Sequence, residues 1–332
     1  MIKENEDLIC PIDGSKFKSL SNKRIQFENF KYPVKFGIPC LFVEKDENKV
    51  NLSKLNNVKN FYTKYSFPNY NDFDDIQLFL RKTKDHHLSK LISEQIGENK
   101  KILEIGCGTG QLTNYLAATT FSKNVYGTDL SINSLKLAND FKKRNQIDNI
   151  KFVQMNLFKP CFKKDSMDLV ISNGVIHHTY NPEKGFATVS DLVKPGGYLI
   201  ISLYNYLGRL ITLINKFFYK IFGNKGLIFD KYLNSNISKR KKISWTQDQY
   251  NHPVESLHSM GEVLEWFKKK EISFVSSIPK IHGKFDISEK IFKEQSEGDF
   301  IDRFNTQFEM IFNYQSQEGG LFTMIGKKKI KS

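Results

Sequence analysis

Between residues 101 and 203, short apolar runs alternate with stretches whose apolar positions recur every three or four residues. The runs are 101–105, 124–128, 150–154, 167–172 and 198–203. After a long interruption they resume at 272–277 and finish at 321–325. Strands alternating with helices in this way predict a parallel sheet covered on both faces, a doubly wound α/β domain. The seventh run returns through Gly319-Gly320 after a helical stretch, which predicts a last strand inserted antiparallel beside the sixth. No internal repeat is present.

The interruption, 204–271, has its own pattern. Leu207, Leu210, Ile211, Ile214, Phe217, Phe218, Ile221 and Phe222 share one face of a helix, with Arg209, Lys216 and Lys220 on another. Such a helix can cap an active site, pair two subunits or lie on an anionic membrane. A cap of this kind suits an apolar or amphiphilic ligand. Ahead of the domain at 98–332, residues 1–45 read as a separate small β-rich module. Residues 46–97 read as a polar linker (48–60), an aromatic stretch (61–70) and a helical segment near 77–97.

Composition narrows the partners. The net charge of +14 invites nucleic acid, since lysine and arginine gain affinity by displacing counterions from phosphates. The basic residues are scattered, however, apart from 239–242 and 327–329, so charge alone ranks nucleic acid below a small-molecule partner. The four cysteines show no paired framework. The first residues lack the apolar core of a signal peptide, and no apolar run reaches membrane-spanning length. A reduced, cytoplasmic protein is expected, monomeric or a homodimer.

The chemistry concentrates at Lys101-Ile102-Leu103-Glu104-Ile105-Gly106-Cys107-Gly108-Thr109-Gly110. An apolar strand carries an acid, passes three alternate glycines and opens a helix. Gly106 permits the tight turn, and Gly108 and Gly110 let a ligand lie against bare backbone. A dinucleotide fingerprint spaces its glycines differently, and Glu104 would repel a pyrophosphate while suiting a cationic amino acid. The second strand ends in Asp129-Leu130, an acid placed to accept two ribose hydroxyls. The third leads to Asn156-Leu157, an amide beside an apolar wall that can read adenine. The fourth gives Ser172-Asn173-Gly174-Val175-Ile176-His177-His178, and Lys194-Pro195-Gly196-Gly197 turns into the fifth.

In this order and spacing, these pieces resemble the class I S-adenosylmethionine-dependent methyltransferase superfamily, especially its small-molecule branch, over about residues 61–327. The resemblance implies a Rossmann-like sheet and S-adenosylmethionine as cofactor. It places Glu104, Gly106, Gly108 and Gly110 around the methionine portion, with Asn173 on that side. Asp129 and its neighbour Leu130 fall at the ribose, and Asn156 and Leu157 at adenine. Asn156 departs from the aspartate common there. Tyr62, Tyr65, Phe67 and Tyr70 are expected to cover the sulfonium, Tyr65 foremost.

Residues 1–45 resemble the zinc-ribbon-like domain fused to many such enzymes, with Asp13 in place of its second cysteine after Cys10-Pro11. Cys10 and Cys40 alone cannot build a tetrahedral site, so a packing module without metal is expected.

Methyl transfer to a hydroxyl or ammonium needs a proton acceptor. His177 and His178 follow the fourth strand, where one serves as a base or the pair merely orders the loop. Gln249-Tyr250-Asn251-His252-Pro253-Val254-Glu255-Ser256-Leu257-His258 is more polar than a loop needs. His252 is a third candidate base, and Tyr250, Glu255 and His258 are candidate acceptor contacts. The Pro-Pro turn of nucleobase amino-methylating enzymes is missing after the fourth strand. The expectation is methylation of an O, N or S nucleophile on a small-molecule, lipid-linked or glycan acceptor. An RNA methyltransferase and a non-catalytic scaffold of this fold are the alternatives.

Overall fold

The computed structural model describes residues 7–44, 48–65, 76–84, 87–122, 124–227, 230, 232–236, 238–283, 285–286, 288–312 and 320–330. The chain opens with a four-stranded antiparallel sheet, β1 (Phe17–Leu20), β2 (Arg24–Phe27), β3 (Lys31–Lys35) and β4 (Ile38–Pro39), paired in that order. Alternation of Ile25 and Phe27 with more exposed neighbours sends both apolar side chains inward, where Phe17 and Tyr32 meet the Phe27 ring edge-on. Asp13 accepts from the Ser15 N–H and from Asn29, closing the loop after Cys10. Cys10 lies 3.4 Å from the Tyr32 hydroxyl, and all four cysteines are buried and free.

This small sheet is seated on the large one. Leu41 donates its N–H to Gln154, and Asp7 receives Lys101 at 2.6 Å and the Tyr126 hydroxyl at 2.8 Å. Leu8, Cys10, Ile25, Phe27 and Leu41 sit in one core cluster with strands of the main sheet.

The expected linker is a helix. Over α1 (Lys49–Lys64) Asn48 caps the N-terminus by accepting from Asn51, and Leu55 and Val58 are buried. The Asn and Lys residues that read as linker are its solvated face. Next come α2 (Ile76–Lys84) and α3 (His87–Gln95). Phe67 and Tyr70 lie outside the described residues.

The main domain then alternates as its apolar runs predict. It runs β5 (Lys101–Ile105), α4 (Gln111–Thr119), β6 (Asn124–Asp129), α5 (Ile132–Arg144), β7 (Ile150–Gln154), β8 (Met167–Asn173), α6 (Pro182–Asp191) and β9 (Val193–Tyr204). An insertion carries α7 (Leu210–Phe222) and α8 (Lys239–Tyr250). The chain returns through α9 (Met260–Lys269), β10 (Ile272–Ile278), α10 (Phe300–Glu309) and β11 (Leu321–Lys328).

The seven strands lie in the order β10-β11-β9-β8-β5-β6-β7. β5 to β9 are parallel, while β11 runs antiparallel to both β9 and β10. Two apolar layers, one on each face, exclude water from the strands. Strand order reverses between β5 and β8, which opens a crevice beyond their carboxyl ends.

Gly326 shows how tightly the antiparallel strand fits. A Cβ there would stand 2.3 Å from Ile272 and 2.6 Å from the Phe267 ring. Gly326→Ala is expected to cost about 1–3 kcal/mol, as overpacking does. Denaturant unfolding checks it, and an unchanged midpoint would show that β11 tolerates more volume than its packing implies.

Candidate functional site

The turn after β5 is built for backbone approach. Gly106 has φ 72°, and a Cβ there would fall 2.3 Å from Val175. The N–H groups of Gly106 and Cys107 both donate to the Thr128 carbonyl, at 2.7 and 2.9 Å, which ties this turn to the end of β6. Gly110 plays another part than the ligand contact expected of it. With φ 75° it forms the left-handed N-cap of α4, and a Cβ would meet Ala138 at 2.6 Å. It is a packing glycine outside the cavity wall.

A cavity of about 350 Å³ occupies the crevice, within the usual range for small-molecule sites. Glu104, Gly106, Gly108, Asp129, Leu130, Asn156, Leu157 and Asn173 line it, so eight of the expected cofactor contacts converge. Glu104 accepts the Thr113 hydroxyl, and burial pushes its carboxyl up to about 7. Asp129 takes the Gly108 N–H at 2.9 Å on one oxygen and the Ser131 N–H at 2.8 Å on the other. Each oxygen keeps a second lone pair, so two hydroxyls can be accepted side by side. Burial raises Asp129 to about 6. Asn156 is less free: its amide donates to Val43 and accepts from the Phe158 N–H, which leaves one N–H and one lone pair.

The three histidines divide. His178 lines the cavity, and its Nδ1 lies 2.9 Å from the Val254 carbonyl. A carbonyl only accepts, so Nδ1 carries the proton and Nε2 is the basic nitrogen. His177 is fully buried against Tyr204, ring centroids 3.9 Å apart, and its Nδ1 accepts the Tyr204 N–H. His252 stacks 3.7 Å behind His178, with its Nδ1 at 2.6 Å from the same Val254 carbonyl. Neither forms the wall. Burial lowers all three well below an ordinary histidine, His252 to about 4.

The polar run 249–258 has a structural use that explains most of it. Arg209, which the sequence groups with Lys216 and Lys220 off the apolar face, is fully buried, and its guanidinium lies 3.9 Å over the Tyr204 ring. Glu255 meets it at 2.9 Å and the Gln249 amide oxygen binds it as well. Tyr250 donates to Asp230 at 2.6 Å, and His258 sits between Ser256 at 2.8 Å and Glu262 at 3.0 Å. Tyr250, Glu255 and His258 are thus spent inside the protein and absent from the wall.

Other groups reach the cavity instead. Tyr62 stands where Tyr65 was expected, because the α1 helix turns Tyr65 toward Phe61 and Lys64. From α8 come Trp245, Asp248 and Gln249. Asp248 receives Tyr62 at 3.2 Å and Gln249 at 2.9 Å, and burial raises it to about 6. α7 contributes nothing to the wall, so the covering helix is α8. Asp248 adjoins the polar run, but an acid on a basic helix carries no signal of burial. No cluster of three or more metal-ligating side chains occurs among the described residues.

The profile of a family described as a methyltransferase domain matches residues 96–271. Among curated proteins, one of Synechococcus sp. is 26% identical over 198 residues, 53% of this chain and 48% of that protein. A malonyl-[acyl-carrier protein] O-methyltransferase of Paenibacillus sp. is 29% identical over 136 residues, 39% of this chain and 49% of that protein. The chain therefore spans about half the length of the curated relatives it matches. Among solved structures, PKMT2 of Rickettsia typhi in complex with AdoHcy superposes with a TM-score of 0.50 at 15% identity, over 74% of this chain and 53% of that one. It shares the fold.

The raised carboxyls leave a mark on stability. Glu104 ionises in the unfolded chain near 4.5 but in the folded chain near 7. The stability gained from its protonated form is full below the unfolded value and is lost as pH rises through about 7. The buried histidines act oppositely, since they stay neutral when folded and lose stability as pH falls below 6.5. The Glu104 part is isolated by difference. Urea unfolding of ligand-free Glu104→Gln should gain about 2.5 kcal/mol on wild type between pH 5 and pH 8. A difference that does not change with pH would place Glu104 in solvent.

Proposed function

The chain belongs to the methyltransferase-domain family, and on that premise we propose that it transfers a methyl group from S-adenosylmethionine to an acceptor bound in the same cavity. The acceptor is an O, N or S nucleophile on a small-molecule, lipid-linked or glycan compound. One observation carries this reading. A single cavity is lined both by Glu104 and Asp129, suited to an ammonium and a diol, and by His178 and Asp248, suited to a proton.

S-adenosylmethionine supplies a methyl group already activated by a cationic sulfur. In this reading Glu104 accepts from the methionine ammonium, a positive neighbour that restores the carboxylate against its burial. Asp129 accepts both ribose hydroxyls beside Leu130, and Asn156 and Leu157 hold the adenine. The uncharged rim around Gly106 and Gly108 lets the cofactor lie close to the backbone. Residues at the far wall handle the acceptor. His178 is held in one tautomer by Val254, which leaves Nε2 to take the proton that a hydroxyl or ammonium loses. Alignment of the two reactants contributes the larger part of the rate.

Residues 1–45 serve as a packing module in the same reading, a zinc-ribbon-like unit without its metal. Its Cys10 faces Tyr32, and Asp13 holds its own loop.

Calorimetry tests the cofactor assignment. Asp129→Ala should weaken S-adenosylmethionine binding by about 1.5–3 kcal/mol, the cost of losing charge-assisted hydrogen bonds. Unchanged affinity in a folded variant would remove Asp129 from the site. A screen of cell metabolites with labelled methyl donor would supply the acceptor. With that acceptor, His178→Ala should lower turnover by about a hundredfold while cofactor affinity stays within about twofold. Unaltered turnover would give the proton to Asp248 or to water.

A further inference from the structure

α7 sits on the protein the wrong way round for a soluble helix. Thr212 and Asn215 are buried beneath it, and the Tyr219 ring leans on Tyr250. Its apolar side faces outward: Phe217 is 61% exposed, Phe222 59%, Ile221 55% and Ile214 47%, with Leu210, Leu213 and Phe218 beside them. At a hundred degrees per residue these seven fall on one face. Lys216 and Lys220 follow along one edge of that face, and exposed Lys225 stands just past the helix end. α8, packed beside α7, opens with Lys239, Lys241 and Lys242.

We propose that α7 seats this protein on the surface of an anionic lipid bilayer, its phenylalanines and isoleucines entering the headgroup boundary and the neighbouring lysines meeting lipid phosphates. Charge chooses this occupant. Residues 210–247 hold eight basic residues, of which Lys216 also pairs with Glu255 at 3.9 Å, and one acid, Asp230, which is buried and hydrogen-bonded to Trp245 and Tyr250. An isologous contact between two copies would set these lysines against their own kind, whereas an anionic surface attracts every one of them. The exposed phenylalanines of α10 make the contrast. Phe300, Phe304 and Phe308 are as apolar, but Asp299, Asp302 and Glu309 accompany them, so that helix lacks the complementarity.

An interfacial helix need not span. Among the described residues, no helix is long and apolar enough to cross a membrane. α7 instead matches the pattern of a helix lying in the interface plane, with lysine beside a phenylalanine-rich face. It is fixed rigidly to the body, because Arg209 at its N-terminus is clamped by Glu255 and Gln249.

Flotation of the full chain with vesicles tests this without knowledge of the methyl acceptor. The probes are phosphatidylcholine vesicles with about one third phosphatidylglycerol, and phosphatidylcholine alone. Binding should favour the anionic vesicles at least tenfold and weaken as salt rises from about 0.1 to 0.5 M. The double variant Phe217→Glu, Ile221→Glu should lose at least tenfold in vesicle binding. Lys220→Glu with Lys225→Glu should lose only the preference for anionic lipid. All four positions are exposed, and unaltered unfolding midpoints confirm intact variants. The proposal is overturned if wild type ignores both vesicles, or if the phenylalanine variant binds as well as wild type. Self-association abolished by the same variant, with no vesicle binding, would assign the face to a second copy instead.

Discussion

A guanidinium taken wholly out of water is the constraint around which Tyr204, Asp248 and Gln249 of the cavity wall are arranged. An isolated buried cation is prohibitively costly, so Arg209 requires a carboxylate and further acceptors at close range. Glu255 and Gln249 supply them, and the Tyr204 ring lies against the remaining surface. Meeting that demand fixes the loop 251–258 under the end of β9. The loop in turn presents the Val254 carbonyl, which orients His178. Gln249 also reaches Asp248 and the Tyr204 hydroxyl, so one buried charge ties together three polar groups of the cavity wall. A charge network of this kind contributes little net stability compared with apolar packing, and its value lies in specifying one arrangement.

Much of this was legible before any coordinates. The strand runs and the late antiparallel return appear where the apolar pattern puts them, because strands buried on both faces can hardly be written otherwise. Glu104, Asp129, Leu157 and Asn173 converge because they follow strand ends, and strand ends in such a sheet face the crevice. What sequence pattern could not convey was direction off the regular elements. Tyr65 and Tyr62 differ by less than one helical turn, and only the seating of α1 decides which ring meets the cavity. The run 249–258 looked like a recognition loop because its polarity was visible and the buried arginine it serves was not. Linker composition misled at 48–60 for the opposite reason, since a helix with only Leu55 and Val58 buried shows a weak apolar stripe.

Burial acts differently on the carboxyls and the histidines around the cavity. At the glycine-rich turn, Glu104 and Asp129 are carboxyls kept in low dielectric, where each holds its charge loosely and gains most from a cationic or hydrogen-bonding ligand. Beside the loop 251–258, burial keeps three histidines neutral, and one of them, His178, lies on the cavity wall. The same physical effect thus biases the carboxyls and the histidines alike toward their uncharged forms.

The position of β11 has a consequence for how the chain is made. It lies between β9 and β10, pairing with both, yet it is the last of the seven strands in chain order. Until residues 321–328 have emerged, β9 and β10 each present an unpaired edge, and β10 has no place in the sheet. Vectorial synthesis can therefore complete the parallel half of the domain while the other half waits, its strand edges open to pairing with foreign chains.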